Sequence, residues 1–467
     1  MIDMETPLVM LSPNDPWTVR DSFEGVQVFG GTGSGKTSGS GQTFANAFLR
    51  ADYGGLVLTV KPDESEQWRY WAEAHGRADQ IVTIKPNTKY FFDFLEYEAT
   101  RGDGSDTDTV TSLFMMLIEI ANGGSIQSKD AYWLLALRQL LRNAIDTLKC
   151  AGQGVTIENM YKLIVTAPTS LMQLASDDYR DKSYCYKCLH QAGLNADEAI
   201  SQNNASEHHF DFEIAFMYFT SEFPNLAEKT RSIVVSMFTT TADSFMRGTL
   251  RQIFSTADGK QEIAPDLAHK GAIIIVDLPI KKHDEVGKIG QGVYKLMFQK
   301  AMERTPFEQS GRPVFLWADE NQFFINSYDL EFQQTARSSG VATFYLTQNL
   351  PNYHTNLGDN GEIKASSLLG NLSTKIFHAN ADSKTNEWAA KLIGEDWEMQ
   401  ASSSVSNSDN QTSSVSEQRR FFVEPIRFTE LARGGVNNNY AVQSIIHQIG
   451  RNWSNGGKYI NAIFKQR

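Results

Sequence analysis

The run GGTGSGKT, Gly30 to Thr37, constrains this chain more than any other stretch. Glycine, four residues, then Gly35-Lys36-Thr37 is the pattern of a phosphate-binding loop. The spacing follows from the chemistry. Glycines let backbone amides curl around phosphate oxygens where a Cβ would block the approach. Lys36 is set to reach the β- and γ-phosphates, the Thr37 hydroxyl to ligate Mg2+, and the next helix to add its positive N-terminal end. Gly30, Gly31, Thr32, Gly33, Ser34, Gly35, Lys36 and Thr37 are thus the expected binding set for ATP with Mg2+. Such a loop must follow a strand and open a helix, and the surrounding sequence is read with that demand in mind.

Short apolar, β-branched runs meet it. GVQVF (Gly25 to Phe29), GLVLTV (Gly55 to Val60) and QIVTI (Gln80 to Ile84) read as buried strands. AIIIVD (Ala272 to Asp277), PVFLWAD (Pro313 to Asp319), ATFYLT (Ala342 to Thr347) and TKIFH (Thr374 to His378) follow later. Helical patterns separate them, so the expected class is α/β with a mainly parallel sheet. Between residues 96 and 227 the strand signal disappears. There YWLLALRQLLRNAIDTL puts Trp133, Leu137, Leu140, Leu141, Ala144, Ile145 and Leu148 on one helical face. The expected organisation is a nucleotide-binding domain over 1–95 and 228–467, carrying an inserted all-helical domain over 96–227. The serine-rich stretch 402–416 reads as a loop, with a polar hairpin as the alternative. NNNYAVQSIIHQIGRNW beyond it reads as a returning edge strand.

Hydrolysis needs acids at a second strand end, and two candidates exist. Asp277 ends AIIIVD but has no adjacent base. Asp319-Glu320 ends PVFLWADE and supplies both roles: the first acid for the Mg2+ shell, the second to polarise the attacking water. Gln348, at the end of the next strand, carries an amide able to touch both the γ-phosphate and that water.

Composition trims the function classes. A formal net charge of -12 argues against an outer surface built to coat nucleic acid, without excluding a narrow basic channel. No apolar run approaches the roughly 20 residues of a membrane helix. The N-terminus lacks the basic start and apolar core of a secretory signal. Three cysteines cannot form a disulfide framework, which points to the cytosol.

The P-loop, the Asp-Glu strand, the strand-end glutamine and the helical insertion together resemble the coupling-protein ATPases of conjugative type IV secretion, the TraG/TraD-like group related to the FtsK and HerA DNA pumps. GAIIIVDLPI, ARSSGVATFYLTQN, LLGNLSTKIFHANAD, IGRNW and FFVEPIRFTELARGG support the resemblance, which runs from about Val26 to Phe464. It implies a RecA-like domain, a ring of six subunits, and hydrolysis of ATP with Mg2+ between neighbours. It also implies single-stranded DNA bound to a relaxase, or a protein substrate, brought to a secretion channel, with duplex DNA pumping and a low-turnover effector-docking platform as alternatives. Carried over by position, Lys36 and Thr37 bind nucleotide, Asp319 and Glu320 serve Mg2+ and water, and Gln348 is the sensor. Arg337, eleven residues before Gln348, falls where such proteins place an arginine finger. Two departures stand out. Only 29 residues precede the P-loop, where relatives usually carry a membrane anchor. The expected location is therefore cytoplasmic, peripheral at the inner membrane through partners. Second, the strand after the P-loop helix ends TVKPDE, with Thr59 where an aspartate is usual and Lys61 retained.

Three weaker signals have plainer readings. Cys185-x-x-Cys188 with His190, His208 and His209 sketches a zinc site, but packed free cysteines fit one isolated CxxC better. Lys281, Lys288 and Lys295 recur every seven residues, as a lumen-facing basic stripe would, yet interleaved acids favour a solvated helix face. QWRYW, Gln67 to Trp71, offers bases a stacking platform around Arg69, or packs on the sheet as an amphipathic helix.

Overall fold

The computed structural model describes residues 2–100, 107–121, 131–201, 207–255, 259–405 and 411–466. The chain divides into two compact units. The first comprises Met1–Val82, Pro265–Lys281 and Phe298–Arg467; the second comprises Thr83–Ala264 and Lys282–Met297.

A nine-stranded sheet organises the first unit. Its order is Ile460–Lys465, Ala441–Gln448, Thr374–Phe377, Val26–Phe29, Val341–Thr347, Val314–Ala318, Gly54–Leu58, Ile273–Val276 and Ile81–Ile84. The pairings from Thr374–Phe377 through Ile273–Val276 are parallel, while Ala441–Gln448 pairs antiparallel with both its neighbours. The central strands are buried on both faces, which is why they read as unbroken apolar runs rather than alternating ones. Ala441–Gln448 is not the edge strand expected from sequence. The edge is Ile460–Lys465, whose buried and exposed positions alternate as a half-covered strand requires.

Parallel strands put their C-terminal ends on one side, so the loops after Phe29, Ala318 and Thr347 converge there. Helix Gln42–Arg50 packs Phe44 and Phe48 onto the sheet beside Phe344 and Phe315. An N-terminal hairpin, Pro7–Ser12 with Asp15–Thr18, closes that face by seating the fully buried Trp17 4.8 Å from the Phe44 ring. Trp68 and Trp71 of QWRYW are core residues. Trp68 stacks on Phe315 at 5.3 Å, so the two tryptophans pack on the sheet as the amphipathic-helix reading expects.

Residues 402–416 are not a loop where they are described. Glu395–Val405 pairs antiparallel with Gln411–Phe421, in a register that sets Ser402 opposite Ser414 and Ser403 opposite Ser413. The first strand alternates Trp397 and Met399 with polar residues, yet both are exposed, as is Val415 on the second strand, so the pattern there does not mark a packed face.

Among its described residues the second unit is helical apart from the end of strand Ile81–Ile84 and the two-residue strands Tyr90–Phe91 and Gln261–Glu262, which pair in parallel. Helix Ala131–Cys150 forms its spine, with Leu137, Leu140, Leu141, Ala144, Ile145 and Leu148 fully buried. The unit runs past the expected bounds of 96–227. Helices Glu228–Met246 and Gly248–Phe254 lie within it and contribute Phe238, Phe245 and Phe254 to its core. Phe94, Phe245 and Phe254 meet at ring distances of 5.5–5.8 Å, which closes both chain ends of the unit together.

Helix Ile280–Arg304 is interrupted at Asp284, whose φ is 45°. That break and the burial of Lys295 remove the continuous basic stripe, and Lys288 pairs with Glu285 at 2.7 Å. Cys185 and Cys188 share one face of helix Tyr184–Ser201 and are buried, which raises both thiol pKa values, the opposite of what a thiolate metal ligand needs. Among the described residues no group of three His, Cys, Asp or Glu side chains is arranged to hold a metal ion. The His208 side chain lies outside the described set.

Candidate functional site

The P-loop leaves strand Val26–Phe29 and enters the helical turn Thr37–Gly41, which continues into Gln42–Arg50. Gly33 and Gly35 take φ values of 71° and 86°, where an L side chain is strained. A Cβ on Gly35 would also sit 2.6 Å from the Val442 side chain. Other loop amides are already committed: Gly30 donates to Thr347 O, Gly31 to Ala379 O, and Ser34 to Gly31 O. The loop borders a cleft of about 550 Å3, lined also by Lys61, Gln67, Lys281, Glu320, Gln322 and Gln348.

Sheet order explains which sequence candidates meet. The strand ending before Gln348 lies between the P-loop strand and the strand ending before Asp319. Asp319 thus stands two strands from the loop, roughly 10 Å at about 4.8 Å per strand. Asp277 ends a strand four positions away, at roughly twice that distance, and does not line the cleft.

The side chains close that gap. Lys36 Nζ donates to Glu320 Oε1 at 2.8 Å, and the Thr37 hydroxyl donates to Asp319 Oδ2 at 2.8 Å. Gln348 Nε2 donates to Glu320 Oε1 at 3.3 Å, and Gln322 Nε2 to Glu320 Oε2 at 2.9 Å. Gln322 is itself held by the Thr347 hydroxyl at 2.7 Å. Glu320 sits in the left-handed region with φ 52°, a costly conformation for a side chain of this kind, and its amide donates to Asp319 Oδ1 at 2.9 Å. That turn aims the two carboxylates at different partners. Burial pushes the Glu320 carboxyl up. The Lys36 charge and the hydrogen bonds from Gln322, Lys36 and Gln348 outweigh it and hold the group below the ordinary carboxylate range.

A second layer comes from TVKPDE. Lys61 Nζ lies 3.9 Å from Asp319 and 3.7 Å from Glu64. Burial lowers the Lys61 pKa, but Asp319, Glu64 and Glu320 raise it further, so the ammonium is held charged. Glu64 accepts the amides of Val60 and Lys61 at 2.6 and 3.2 Å. Burial first, then the Asp319 charge, pushes its carboxyl up to about 7. Thr59 faces away from this chemistry and donates to Val276 O. A carboxylate is therefore present in this region, delivered by the next helix rather than by the strand end.

The donor set fits Mg2+. Thr37 and Asp319 offer hard oxygen ligands already 2.8 Å apart, next to a loop shaped for phosphate. Behind the loop, the fully buried His378 bonds Ser40 Oγ at 2.7 Å and Gln443 O at 3.1 Å. Burial lowers its pKa to about 4, so the ring stays neutral beside Lys36. Sequence reasoning missed Gln322, Glu64 and His378, since none belongs to a spacing pattern.

Arg337, like Asp277, lies outside the cluster. It is 62% exposed, 3.5 Å from Glu24, at the opposite end of the seven-residue strand that leads to Gln348. That strand separates it from the chain's own site by roughly 20 Å.

Residues 313–433 match the family model described as the TraM recognition site of TraD and TraG. No curated protein matches the chain. Among solved structures, an unbound form of the bacterial conjugative coupling protein TrwB superposes with TM-score 0.62 at 13% identity, covering 97% of this chain and 87% of that one. Plasmid coupling protein TrwB in complex with the non-hydrolysable ATP analogue ADPNP, and in complex with ADP and Mg2+, match with the same TM-score at 12% identity and the same coverage. The resemblance read from the sequence and the RecA-like fold with its helical insertion are thereby borne out. No helix among the described residues is long and apolar enough to cross a membrane.

Proposed function

We propose that the chain is an ATP-hydrolysing motor of the conjugative coupling type. In this reading it recruits DNA bound to a relaxase, or a protein substrate, and drives it toward a type IV secretion channel. One observation carries the reading. Gln348 touches Glu320 from a strand interposed between the phosphate loop and the acid pair, so the three parts of a hydrolytic site sit on consecutive strands. A plain nucleotide-binding module has no need of that interposed amide. The 313–433 match and the fold shared with coupling proteins support the choice of substrate class.

The residues divide the work as follows. Amides of Gly33, Gly35, Lys36 and Thr37 receive the phosphates, and Lys36 exchanges Glu320 for the β- and γ-phosphate oxygens. Thr37 and Asp319 would hold Mg2+, which would supply positive charge beside the phosphates. Glu320, released from Lys36, accepts a hydrogen bond from the attacking water. Gln348 stands where it can register whether the γ-phosphate is present. Arg337 acts on a neighbour's nucleotide in a homo-hexamer, since it cannot reach its own.

The test is ATP turnover by the purified chain with no DNA, with single strands and with duplex, over a range of salt concentrations. Stimulation by DNA that fades steeply as salt rises is the expected result, because phosphate contacts release counterions. Preference for duplex favours a double-stranded DNA pump. Turnover unaffected by either DNA at any salt contradicts DNA as the cargo, and negligible turnover throughout favours a docking platform.

A further inference from the structure

Gln348 lies at a chain junction. It follows the last residue of strand Val341–Thr347 and precedes Asn349, which caps helix Leu350–Asn356. A side chain there keeps its aim only if its own main chain is anchored. The anchor comes from the neighbouring loop after strand Thr374–Phe377, where Asn380 Nδ2 donates to the Gln348 carbonyl at 2.9 Å.

All four polar atoms of Asn380 have a separate partner. Its Oδ1 accepts the Asp382 amide at 3.0 Å, and its carbonyl accepts Asn386 Nδ2 at 3.0 Å. Its own amide donates to Phe428 O at 3.1 Å. The Asp382 amide on one side and the Gln348 carbonyl on the other fix which way the side-chain amide points. The residue is buried, so none of these bonds is readily exchanged with water. Next to it, Ala379 O accepts the Gly31 amide of the P-loop at 2.9 Å. Residues 379 and 380 thus grip the loop and the Gln348 turn together.

Phe428 belongs to the turn Pro425–Thr429, reached directly from hairpin strand Gln411–Phe421. The base of that hairpin is closed by the Phe422 amide donating to Gly394 O at 3.0 Å, and Gly394 ends helix Ser383–Ile393, which begins beside Asn380. One strand of the ribbon follows the helix that holds Asn386, and the other leads into the turn that holds Phe428, both partners of Asn380.

We infer that Asn380 is a positioning residue: it holds the Gln348 main chain so that the amide meets Glu320, and it links that contact to the base of the 395–421 hairpin. The inference rests on the hydrolytic reading of the site. Leu350 N donating to Thr385 Oγ1 at 2.9 Å is a second tie between the same elements, so losing the Asn380 bond loosens Gln348 without undocking the helix.

The test compares wild type with Asn380→Ala, Asn380→Asp, Gln348→Ala and the double variant Asn380→Ala/Gln348→Ala. Asn380→Asp keeps the acceptor for the Asp382 amide and turns the donor facing Gln348 into an acceptor. Both single Asn380 variants should lower kcat about five- to tenfold, the scale of one lost buried hydrogen bond. KM for ATP and the affinity for a fluorescent ATP analogue should stay within about twofold. In the double variant the loss should match that of Gln348→Ala alone, because Asn380 acts through Gln348. Losses that multiply, or a fall in affinity as large as the fall in kcat, assign Asn380 a general structural role and overturn the inference. So does unchanged kcat in Asn380→Ala, whose shortened side chain cannot reach the Gln348 carbonyl. Wild-type turnover that survives Lys36→Ala has a different meaning: the hydrolytic reading itself has failed.

Discussion

Lys36 Nζ and Glu320 Oε1 form a 2.8 Å ion pair in which each side chain is only 9% exposed. The pair joins the cation proposed to bind phosphate to the carboxylate proposed to polarise water. In that proposed reading ATP displaces Glu320 from Lys36 and frees the carboxylate for water only once phosphate has arrived, so binding and activation become one exchange.

Removing the cation leaves a buried carboxylate without its charge partner, an event costing about 3–5 kcal/mol when nothing else compensates. Gln322 and Gln348 still reach Glu320, so Lys36→Ala should melt earlier but cooperatively, and it should neither bind nor hydrolyse ATP. Adding Glu320→Gln should recover much of the lost stability and none of the turnover. Thermal melts and a nucleotide-binding titration check both halves.

Glu320→Gln alone keeps Thr37 and Asp319 for Mg2+ and frees Lys36 from its ion pair. It should hold ATP at least as tightly as wild type while turnover falls by two orders of magnitude or more, about the scale of a general base. A rapid-filtration assay should recover unhydrolysed ATP on the protein.

Asp319 and Asp277 both end apolar strands, and only Asp319 meets the P-loop. Asp319→Ala should abolish Mg2+-dependent turnover, whereas Asp277→Ala should retain activity within about threefold. Steady-state kinetics at several Mg2+ concentrations separate the two.

Glu64 has its folded pKa raised from 4.5 to about 7 by burial and the Asp319 charge. The folded chain therefore binds more protons than the unfolded chain between those values, and this group lowers stability as pH rises through the window. Glu320 has the opposite sign. Its depressed pKa gives stability that is present above the ordinary carboxylate pKa and lost as pH falls through the folded value. Glu64→Gln keeps an acceptor for the Val60 amide and removes the buried charge. It should be more stable than wild type above about pH 7 and flatten the slope between pH 4.5 and 7, measured by denaturant unfolding across that range.

Features carried by contiguous chemistry were legible in the sequence. The P-loop announces itself by glycine spacing, and strands buried on both faces announce themselves as apolar runs ending in Asp319-Glu320 or Gln348. What needed the structure depends on long-range placement. Glu64 brings a carboxylate beside Lys61 from the following helix, which no strand-end pattern reveals. The Lys281, Lys288, Lys295 repeat assumed one straight helix, and Asp284 breaks it. Helix Glu228–Met246 buries Val234, Phe238 and Phe245 at helical spacing, but its threonine-rich run TTTADS obscures the stripe and hid its membership of the helical unit. Residues 402–416 are mostly serine and other polar types, so little in that stretch announced the ladder between Glu395–Val405 and Gln411–Phe421.

The central claim is a motor whose sites are completed by a neighbouring subunit. Arg337 has a bland alternative, a surface cation near a helix C-terminus contributing about 0.3–1 kcal/mol. A guanidinium delivered to a neighbour's γ-phosphate contributes about 10³–10⁵ in rate instead. The most direct measurement is ATP turnover by Lys36→Ala, by Arg337→Ala, and by their equimolar mixture in assemblies shown to contain both. Each variant alone should be nearly inactive, with Arg337→Ala still binding ATP. The mixture should regain partial activity, because some interfaces pair an intact Lys36 with a neighbour's intact Arg337. Full activity in Arg337→Ala alone, or no recovery in the mixed assemblies, contradicts the account.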